Sequence, residues 1–292
     1  MYMIENYRDN IRFNVQFEEI RDFLRINADK GFNEHFHWGR FDWMMAHSYL
    51  DIELLSKNAL FRDERGNLVG VILYDTCFDD RWYLLHSISD EKLLQLMIEH
   101  LEKCEADTIT VKSNVNDTVL CRLLKNNGFA KQYAESVLEI DLSNNLYYRL
   151  PKGIRLNDQN DRIDKKQWRL VIHRGFDNKG TPELPSEEVI RAEKHLEISD
   201  YIKVFAINDE EYISHCGIWY DCGNTAYIEP VATVPEYRGK GLGRAVVYEA
   251  LNRASVRGAK RAIVLSDQDF YKHIGMKKSS EVETWIKDGK KL

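Results

Sequence analysis

The chain is poor in cysteine and has no long apolar run. Its 292 residues include only five cysteines, Cys77, Cys104, Cys121, Cys216 and Cys222. The number is odd and no pair has C-x-x-C spacing, which favours free thiols in a reducing cytoplasm. No run approaches the ~20 apolar residues that cross a bilayer, and the start, MYMIENYRDNIRF, lacks the apolar core of a secretory signal. We therefore expect a soluble, cytoplasmic protein that does not engage a membrane.

A metal site has little support in the sequence. His35 and His37, in EHFHW, are one residue apart, but no cysteine or acidic residue stands near them at ligand spacing. We expect both histidines to be structural and the protein to hold no metal.

Charge is unevenly distributed between the two halves of the chain. Residues 1–150 contain 17 lysines and arginines against 25 acidic residues, a net charge of −8, whereas residues 151–292 contain 24 against 22, a net charge of +2. An acidic first half argues against nucleic acid as the main partner. It fits a cationic small molecule or a basic peptide, and it fits a solvated acidic surface equally well.

The length of the chain and a polar segment that contains proline and glycine indicate two domains. The segment DLSNNLYYRLPKGIRL is polar and contains Pro151 and Gly153, a pattern typical of a connecting loop. We place a first domain at 1–142, a linker at 143–152 and a second domain at 153–292.

Matched glycines suggest that the halves are copies. Gly70 and Gly128 are 58 residues apart, and so are Gly217 and Gly275, each in similar surroundings (NLVGVILYD and YISHCGIWYD; LLKNNGF and FYKHIGM). Two landmarks at equal spacing favour duplication. The order of strand and helix patterns in the second half predicts an α/β or α+β layered domain.

A glycine-rich turn, RGKGLGR, separates a predicted strand, TAYIEPVATV, from a predicted amphipathic helix. The first turn of a helix has backbone N–H groups without internal partners and a partial positive charge. Glycines let such groups converge on an anion, and nearby cations suit phosphate. The turn lacks the Walker A pattern, and Val246 stands where a dinucleotide-binding fingerprint needs its third glycine. It satisfies R-x-x-G-x-G through Arg238, Gly241 and Gly243; a surface turn without a ligand is the alternative.

This strand and turn, followed by the strand RAIVLS and then DFYKHIGM, resemble the GNAT superfamily of acyl-CoA N-acyltransferases over Tyr201 to Ile286. The resemblance implies an α/β (α+β) fold of two GNAT-like domains, each a mixed, splayed β-sheet flanked by helices, with the first copy degenerate. It also implies acetyl-CoA as co-substrate.

The family's binding mode implies two groups of cofactor-binding residues. The backbone of Ala232, Thr233 and Val234 would bond the pantetheine arm like an added strand. The pyrophosphate would be held by Arg238, Gly239, Lys240, Gly241, Leu242, Gly243 and Arg244.

The first half departs from this pattern. No R-x-x-G-x-G occurs in residues 1–150, and the corresponding helix opens with Asp90 and Glu91. Carboxylates stabilise a helix N-terminus themselves and repel phosphate. We expect one acyl-CoA site, in the second half; the first half would be structural or would shape the acceptor pocket.

Two residues are candidates for catalysis. Glu229, in AYIEPVATV, lies where the family often places a carboxylate and is the candidate general base, acting directly or through a water; Tyr227 on the same face is an alternative. Tyr271 matches the tyrosine that many members use as general acid toward the leaving thiolate. Structural roles are the alternatives, a strand-edge position for Glu229 and packing beside Phe270 for Tyr271.

The remaining polar groups have lesser roles. A backbone N–H around Thr233 or Val234 would stabilise the oxyanion. We expect His215 and His273 to be structural, and direct transfer rather than a covalent cysteine intermediate.

The sequence therefore predicts an acetyltransferase that acts on an amine of a small molecule or peptide, as a monomer or homodimer. A non-catalytic protein that senses acyl-CoA and a scaffold without CoA are the alternatives. Two segments, GFDNKGTPELPSEE and GFNEHFHWGRFDWMMAHSYLD, are candidates for the acceptor pocket; the aromatics of the latter could instead pack the first domain.

Overall fold

The structure is a computed structural model that describes residues 1–8, 10–75, 81–104 and 106–289. Its helices are α1 (Val15–Ile26), α2 (Trp38–Ala46), α3 (Glu91–Leu101), α4 (Thr118–Asn126), α5 (Lys165–Gly175), α6 (Glu187–Glu193), α7 (Leu242–Val256) and α8 (Asp269–His273). Its strands are β1 (Met3–Asn6), β2 (Ala59–Arg62), β3 (Leu68–Asp75), β4 (Arg81–His86), β5 (Thr108–Asn114), β6 (Ala130–Asp141), β7 (Ile154–Leu156), β8 (Tyr201–Asn208), β9 (Glu211–Trp219), β10 (Thr225–Thr233), β11 (Arg261–Leu265) and β12 (Lys277–Asp288). Short 3₁₀ turns lie at Gly31–Asn33, Ile52–Lys57, Lys194–Glu197 and Pro235–Tyr237.

All twelve strands form one mixed sheet, in the order β1-β2-β3-β4-β5-β12-β6-β11-β10-β9-β8-β7. Two neighbouring pairs are parallel, β4 with β5 and β10 with β11, and the others are antiparallel. The two central strands are exchanged: β12, at the end of the second half, pairs with β5, and β6, at the end of the first half, pairs with β11. Each half thus completes its sheet with the last strand of the other half.

The glycine landmarks occupy matching places in the two halves. Gly70 lies in β3 and Gly217 in β9, which are the third strands of their halves. Gly128 and Gly275 each follow a short helix and precede the exchanged strand, with φ of 82° and 90°. Because only glycine adopts such φ values without strain, the repeated spacing reflects a repeated backbone turn.

Side-chain caps fix the starts of most helices. The carboxylate of Asp90 accepts from the N–H of Leu93 at 2.9 Å and begins α3. Asp164 and Ser186 begin α5 and α6 in the same way, as expected of N-cap residues. By contrast, the N-cap residue of α7 is Gly241, which has no side chain to cap the helix. The first N–H groups of α7 therefore stay available.

The buried apolar side chains of the described residues form two clusters. One lies under α3 and α4 of the first half and includes Trp285 of β12. The other joins α1 and α2 to the second half. Four aromatics of the segment at residues 31–51 belong to this second cluster, namely Phe36, Trp38, Phe41 and Trp43, whereas Tyr49 is 65% exposed. Packing, one of the two alternatives, is the observed role of these four.

The connecting segment at 143–152 contains no helix or strand and runs between β6 and β7. Cys104, Cys121, Cys216 and Cys222 are free thiols, and Cys77 lies outside the described residues. Within those residues, no helix combines the length and apolar character of a membrane span. Nor do three His, Cys, Asp or Glu side chains in this part of the chain come together as metal ligands.

Candidate active site

The second half contains a cleft where two parallel strands separate. β10 pairs with β11 only from Thr225 to Tyr227 and then continues to Thr233 without it. A β-bulge between Ile228 and Val231 bends β10 at the point of separation. Bulges re-aim side chains next to functional sites. The expected splay therefore lies beside the glycine turn.

The three glycines of the turn serve two different needs. Gly239 and Gly241 have φ of 72° and 81°, with open space where a Cβ would stand. Gly243 is needed for a close approach, because a Cβ there would lie 3.2 Å from the ring of Phe270. Backbone conformation thus requires the first two, and contact with α8 requires the third.

The turn exposes a row of backbone donors. Ala245 is the first residue of this region whose N–H bonds back into the helix, to the carbonyl of Gly241. The backbone N–H groups of residues 239–244 have no hydrogen-bond acceptor among the described residues. The cations lie nearby, with Lys240 Nζ 4.7 Å from the ring centroid of Tyr237 and the Arg244 guanidinium 5.4 Å from that of Tyr248. Such a group of donors at a helix N-terminus is suited to an anion.

The side chain of Arg238 is held by neighbouring residues of the protein itself. Its guanidinium donates to the carbonyls of Thr233 and Gly175, at 3.0 and 2.8 Å, and to the carboxylate of Asp177 at 3.0 Å. Its own N–H donates to Pro235. Arg238 therefore braces the turn against the end of β10 and the end of α5, and it would have to give up these bonds to reach an anion.

The end of β10 offers one of its two predicted oxyanion donors. The N–H of Val234 donates to the carbonyl of Ile213 on β9, at 3.0 Å. Because hydrogen bonds alternate between the two edges of an antiparallel strand, the N–H of Thr233 points to the opposite edge, into the splay. Ala232 lies against Gly175, where a Cβ would come within 2.6 Å of the Ala232 Cβ. Of the two candidates, Thr233 is the available donor.

Glu229 lies in the bulge and faces the first half of the chain. Its Oε1 accepts from Nη1 of Arg40, on α2, in a short ion pair. Its Oε2 is buried without a hydrogen-bond partner among the described residues. The backbone carbonyl of Glu229 accepts from the indole of Trp219 at 3.0 Å. The candidate base is thus fixed on one side and has one oxygen left to accept a proton.

Tyr271 lies on α8, directly after β11, and is buried. Burial, with the neighbouring Cys216 and Glu229, raises the pKa of its phenol. A phenol that stays protonated at neutral pH has a proton to donate, so the surroundings of Tyr271 suit a general acid.

Tyr227 lies beside Glu229: burial and the charge of that carboxylate raise the pKa of its phenol, and its ring is stacked on His37 at 4.8 Å. The other predicted polar residues have mainly packing roles. His215 is buried and stacked on Phe205, and burial lowers its pKa to about 3. His273 is exposed. Burial also raises the pKa of the Cys216 thiol, which disfavours the thiolate that a cysteine nucleophile needs.

Residues at the start of α2 connect the first half to this site. His37 caps α2 by accepting from the N–H of Gly39 at 3.0 Å, and burial lowers the pKa of His37 to about 3, so that its ring stays neutral. Gly39 touches the ring of Trp219, where an added Cβ would lie 2.1 Å away. This close packing of α2 against β9 places Arg40 beside Glu229.

The corresponding cleft of the first half is filled by the chain itself. β4 pairs in parallel with β5 only at Trp82 and Tyr83. Beyond that point, the side-chain amide of Asn33 bonds to both backbone groups of His86, donating to its carbonyl at 2.9 Å and accepting from its N–H at 3.4 Å. Phe32 stacks on the His86 ring at 4.5 Å. A side chain thus occupies backbone groups that an added strand would need.

Sequence reasoning missed Arg40 and Asn33. Arg40 stands in a helix whose other residues are all buried, and a charge among buried residues requires a partner. That pattern was a readable signal for a partner, although not for its identity. Asn33 carried no comparable signal.

Comparisons with known proteins agree with this architecture. The acetyltransferase (GNAT) family profile matches residues 168–276, and no curated protein sequence matches the chain. A tandem GNAT protein from the clavulanic acid biosynthesis pathway is similar in structure, with a TM-score of 0.61, 12% identity and 100% coverage of both chains. So is a GCN5-related N-acetyltransferase from Sphaerobacter thermophilus, with a TM-score of 0.57, 16% identity and coverage of 100% of this chain and 98% of that one. At these identities the likenesses show the fold, including its tandem arrangement.

Proposed function

Because residues 168–276 match the acetyltransferase (GNAT) family profile, we propose that the protein transfers an acetyl group from acetyl-CoA to an amine of a small molecule or peptide. One acyl-CoA site lies in the second half, between β10 and β11. The observation that carries the proposal is the row of unpartnered N–H groups at residues 239–244, directly beside the splay. These groups suit the pyrophosphate, and the free edge of β10 suits the pantetheine arm.

The chemistry follows from the groups around the splay. The amine nitrogen attacks the thioester carbonyl carbon while Oε2 of Glu229, directly or through a water, takes the amine proton. The N–H of Thr233 stabilises the negative charge that develops on the carbonyl oxygen. The C–S bond then breaks, and Tyr271 gives its proton to the leaving thiolate. The products are the acetylated amine and CoA.

A protein that binds acyl-CoA without turnover is the second candidate. The ion pair between Arg40 and Glu229 favours it, because a carboxylate already held by a cation is a weaker proton acceptor. The two candidates share the CoA site and differ in whether thioester is consumed.

A screen of amines with a thiol-release readout distinguishes the candidates. We expect release of CoA with at least one amine, and a fall in kcat of about 10²-fold in Glu229→Gln and in Tyr271→Phe, the range typical of general acid–base groups. The KM for acetyl-CoA should change little. Tyr148→Phe is the matched control, since the Tyr148 hydroxyl bonds Glu249, outside the proposed catalytic groups.

Binding is measured in parallel by calorimetry with CoA. Binding without turnover of any amine would favour the sensing protein. Full activity in both variants would remove Glu229 and Tyr271 from the mechanism, and lack of CoA binding would refute the site itself.

A further inference from the structure

One arginine of the first half lies between two carboxylates at the candidate site. Nη2 of Arg40 donates to Oδ2 of Asp75, on β3, at 2.6 Å, while Nη1 pairs with Oε1 of Glu229 on β10. Asp75 is 1% exposed, and the side chains of Arg40 and Glu229 are 16% and 17% exposed. The guanidinium of Arg40 thus joins Asp75, which is 35 positions away in sequence, to Glu229, which is 189 positions away.

The charge on Arg40 is secure. Burial acts to lower its pKa, but Glu229 and Asp75 outweigh burial and raise it well above the ordinary value. A permanent positive charge in contact with a part-buried carboxylate favours the ionised form of that carboxylate. Arg40 therefore presents a lasting charge that can hold the carboxylate of Glu229 in one orientation.

The geometry gives the two oxygens of Glu229 different tasks. Oε1 is engaged by Arg40, whereas Oε2 is buried and has no partner among the described residues. Because a carboxylate is planar, fixing one oxygen fixes the direction of the other. Asp75 holds the opposite edge of the guanidinium, which limits its rotation.

We propose that Arg40 is a positioning residue for the transfer reaction: it holds Oε1 of Glu229 and directs Oε2 toward the acceptor amine, so that the first half supplies a group on which the chemistry of the second half depends. This inference rests on the proposed function, because it takes Glu229 as the base. Asp75 is the brace that orients Arg40.

The test compares the kcat and KM of Arg40→Gln and Arg40→Lys with those of wild type. Arg40→Gln removes the ion pair with Glu229, so kcat should fall about 10²-fold, as for loss of the base itself. Arg40→Lys keeps a positive charge but not the bidentate guanidinium, so kcat should fall only about tenfold. The KM for acetyl-CoA should not change in either.

Arg21→Lys is the matched control. Arg21 also joins the halves from a buried position, through Asp42 at 2.8 Å and Asp200 at 3.6 Å, but it does not touch Glu229. A structural role for Arg40 would make the two lysine variants behave alike, and an unchanged kcat in Arg40→Gln would overturn the proposal.

Two further measurements separate this proposal from the proposed function. In a Glu229→Gln background, Arg40→Gln should reduce kcat no further, whereas additive losses would contradict positioning. Carbon-13 NMR of the Glu229 carboxyl, assigned with Glu229→Gln, reads the contact with Arg40 without turnover. A carboxyl chemical shift that changes in Arg40→Gln supports the hold on Glu229 even if no amine is acetylated; an unchanged chemical shift refutes it even if the enzyme is active.

Discussion

Single residues of the glycine turn differ in what they tolerate. At Gly241, φ is 81° and nothing lies within 4 Å of the point where a Cβ would stand, so a side chain there meets strain but no clash. At Gly243 the backbone is not strained, but a Cβ would lie 3.2 Å from the ring of Phe270, so a side chain there meets a close contact. The two positions therefore separate the effect of backbone shape from that of packing against α8.

We expect Gly241→Ala to weaken CoA binding. A left-handed backbone costs an L-residue roughly 1–2 kcal/mol, and relief of that strain would turn the N–H groups away from a common point. The Kd for CoA, measured by calorimetry, should rise about tenfold. Gly66→Ala is the control, since Gly66 has φ of 83° and open surroundings but lies in the β2–β3 turn. Equal Kd values for the two variants would argue against a binding role for the turn.

Among the elements, β12 has an unusual place. It is the last strand of the second half in sequence, yet it pairs with β5 of the first half from Val282 to Asp288. Trp285 is 6% exposed and lies in the apolar cluster of α3 and α4. The core of the first half therefore depends on a side chain from the other half.

Trp285→Ala should destabilise the first half. Removing a buried tryptophan side chain costs about 3–5 kcal/mol, so the urea midpoint should fall and amide hydrogen exchange should rise in α3 and α4. Val256→Ala, at an 85% exposed position, should change neither. Faster exchange confined to α7 and α8 would contradict the exchanged arrangement of β12.

Over the whole molecule, buried histidines couple stability to pH. Burial lowers the pKa of His35 and His47 to about 4 and that of His37 and His215 to about 3. In the unfolded chain they would titrate near ~6.5. Between these values the unfolded state binds more protons, so stability is complete above about pH 6.5 and is lost as the pH falls toward 4.

Urea unfolding at pH 7.5, 6.5 and 5.5 measures this loss. Each histidine should contribute up to ~1.4 kcal/mol per pH unit below 6.5. His215→Asn should flatten the slope, whereas His273→Asn, at an exposed position, should leave it unchanged. A free energy of unfolding that stays constant down to pH 5.5 would contradict the neutral burial of these rings.

The sequence was informative where a local pattern dictates local structure. The turn RGKGLGR, the helices α5 and α6 and the paired glycines could be predicted, because each depends on caps, φ values or periodicity within a few residues. The fold class and the tandem GNAT architecture followed from them and are confirmed. The cofactor-binding and catalytic residues stay predictions.

Long-range pairing could not be predicted. Arg40 and Glu229 are 189 residues apart, and nothing in either local pattern identifies the other. The exchange of β6 and β12 is similarly hidden, because the two strands end equivalent halves and either could pair with β5. The bracing of Arg238 depends on the end of α5, which the motif itself does not include.

The exchanged strands also set an order of events during synthesis. β5 leaves the ribosome early, but its neighbour β12 begins only at Lys277. At about 5–20 residues per second, the nascent first half waits many seconds with an open strand edge. Its final structure is therefore acquired after, and because of, translation of the second half, and a chaperone that shields that edge would raise the yield of native protein.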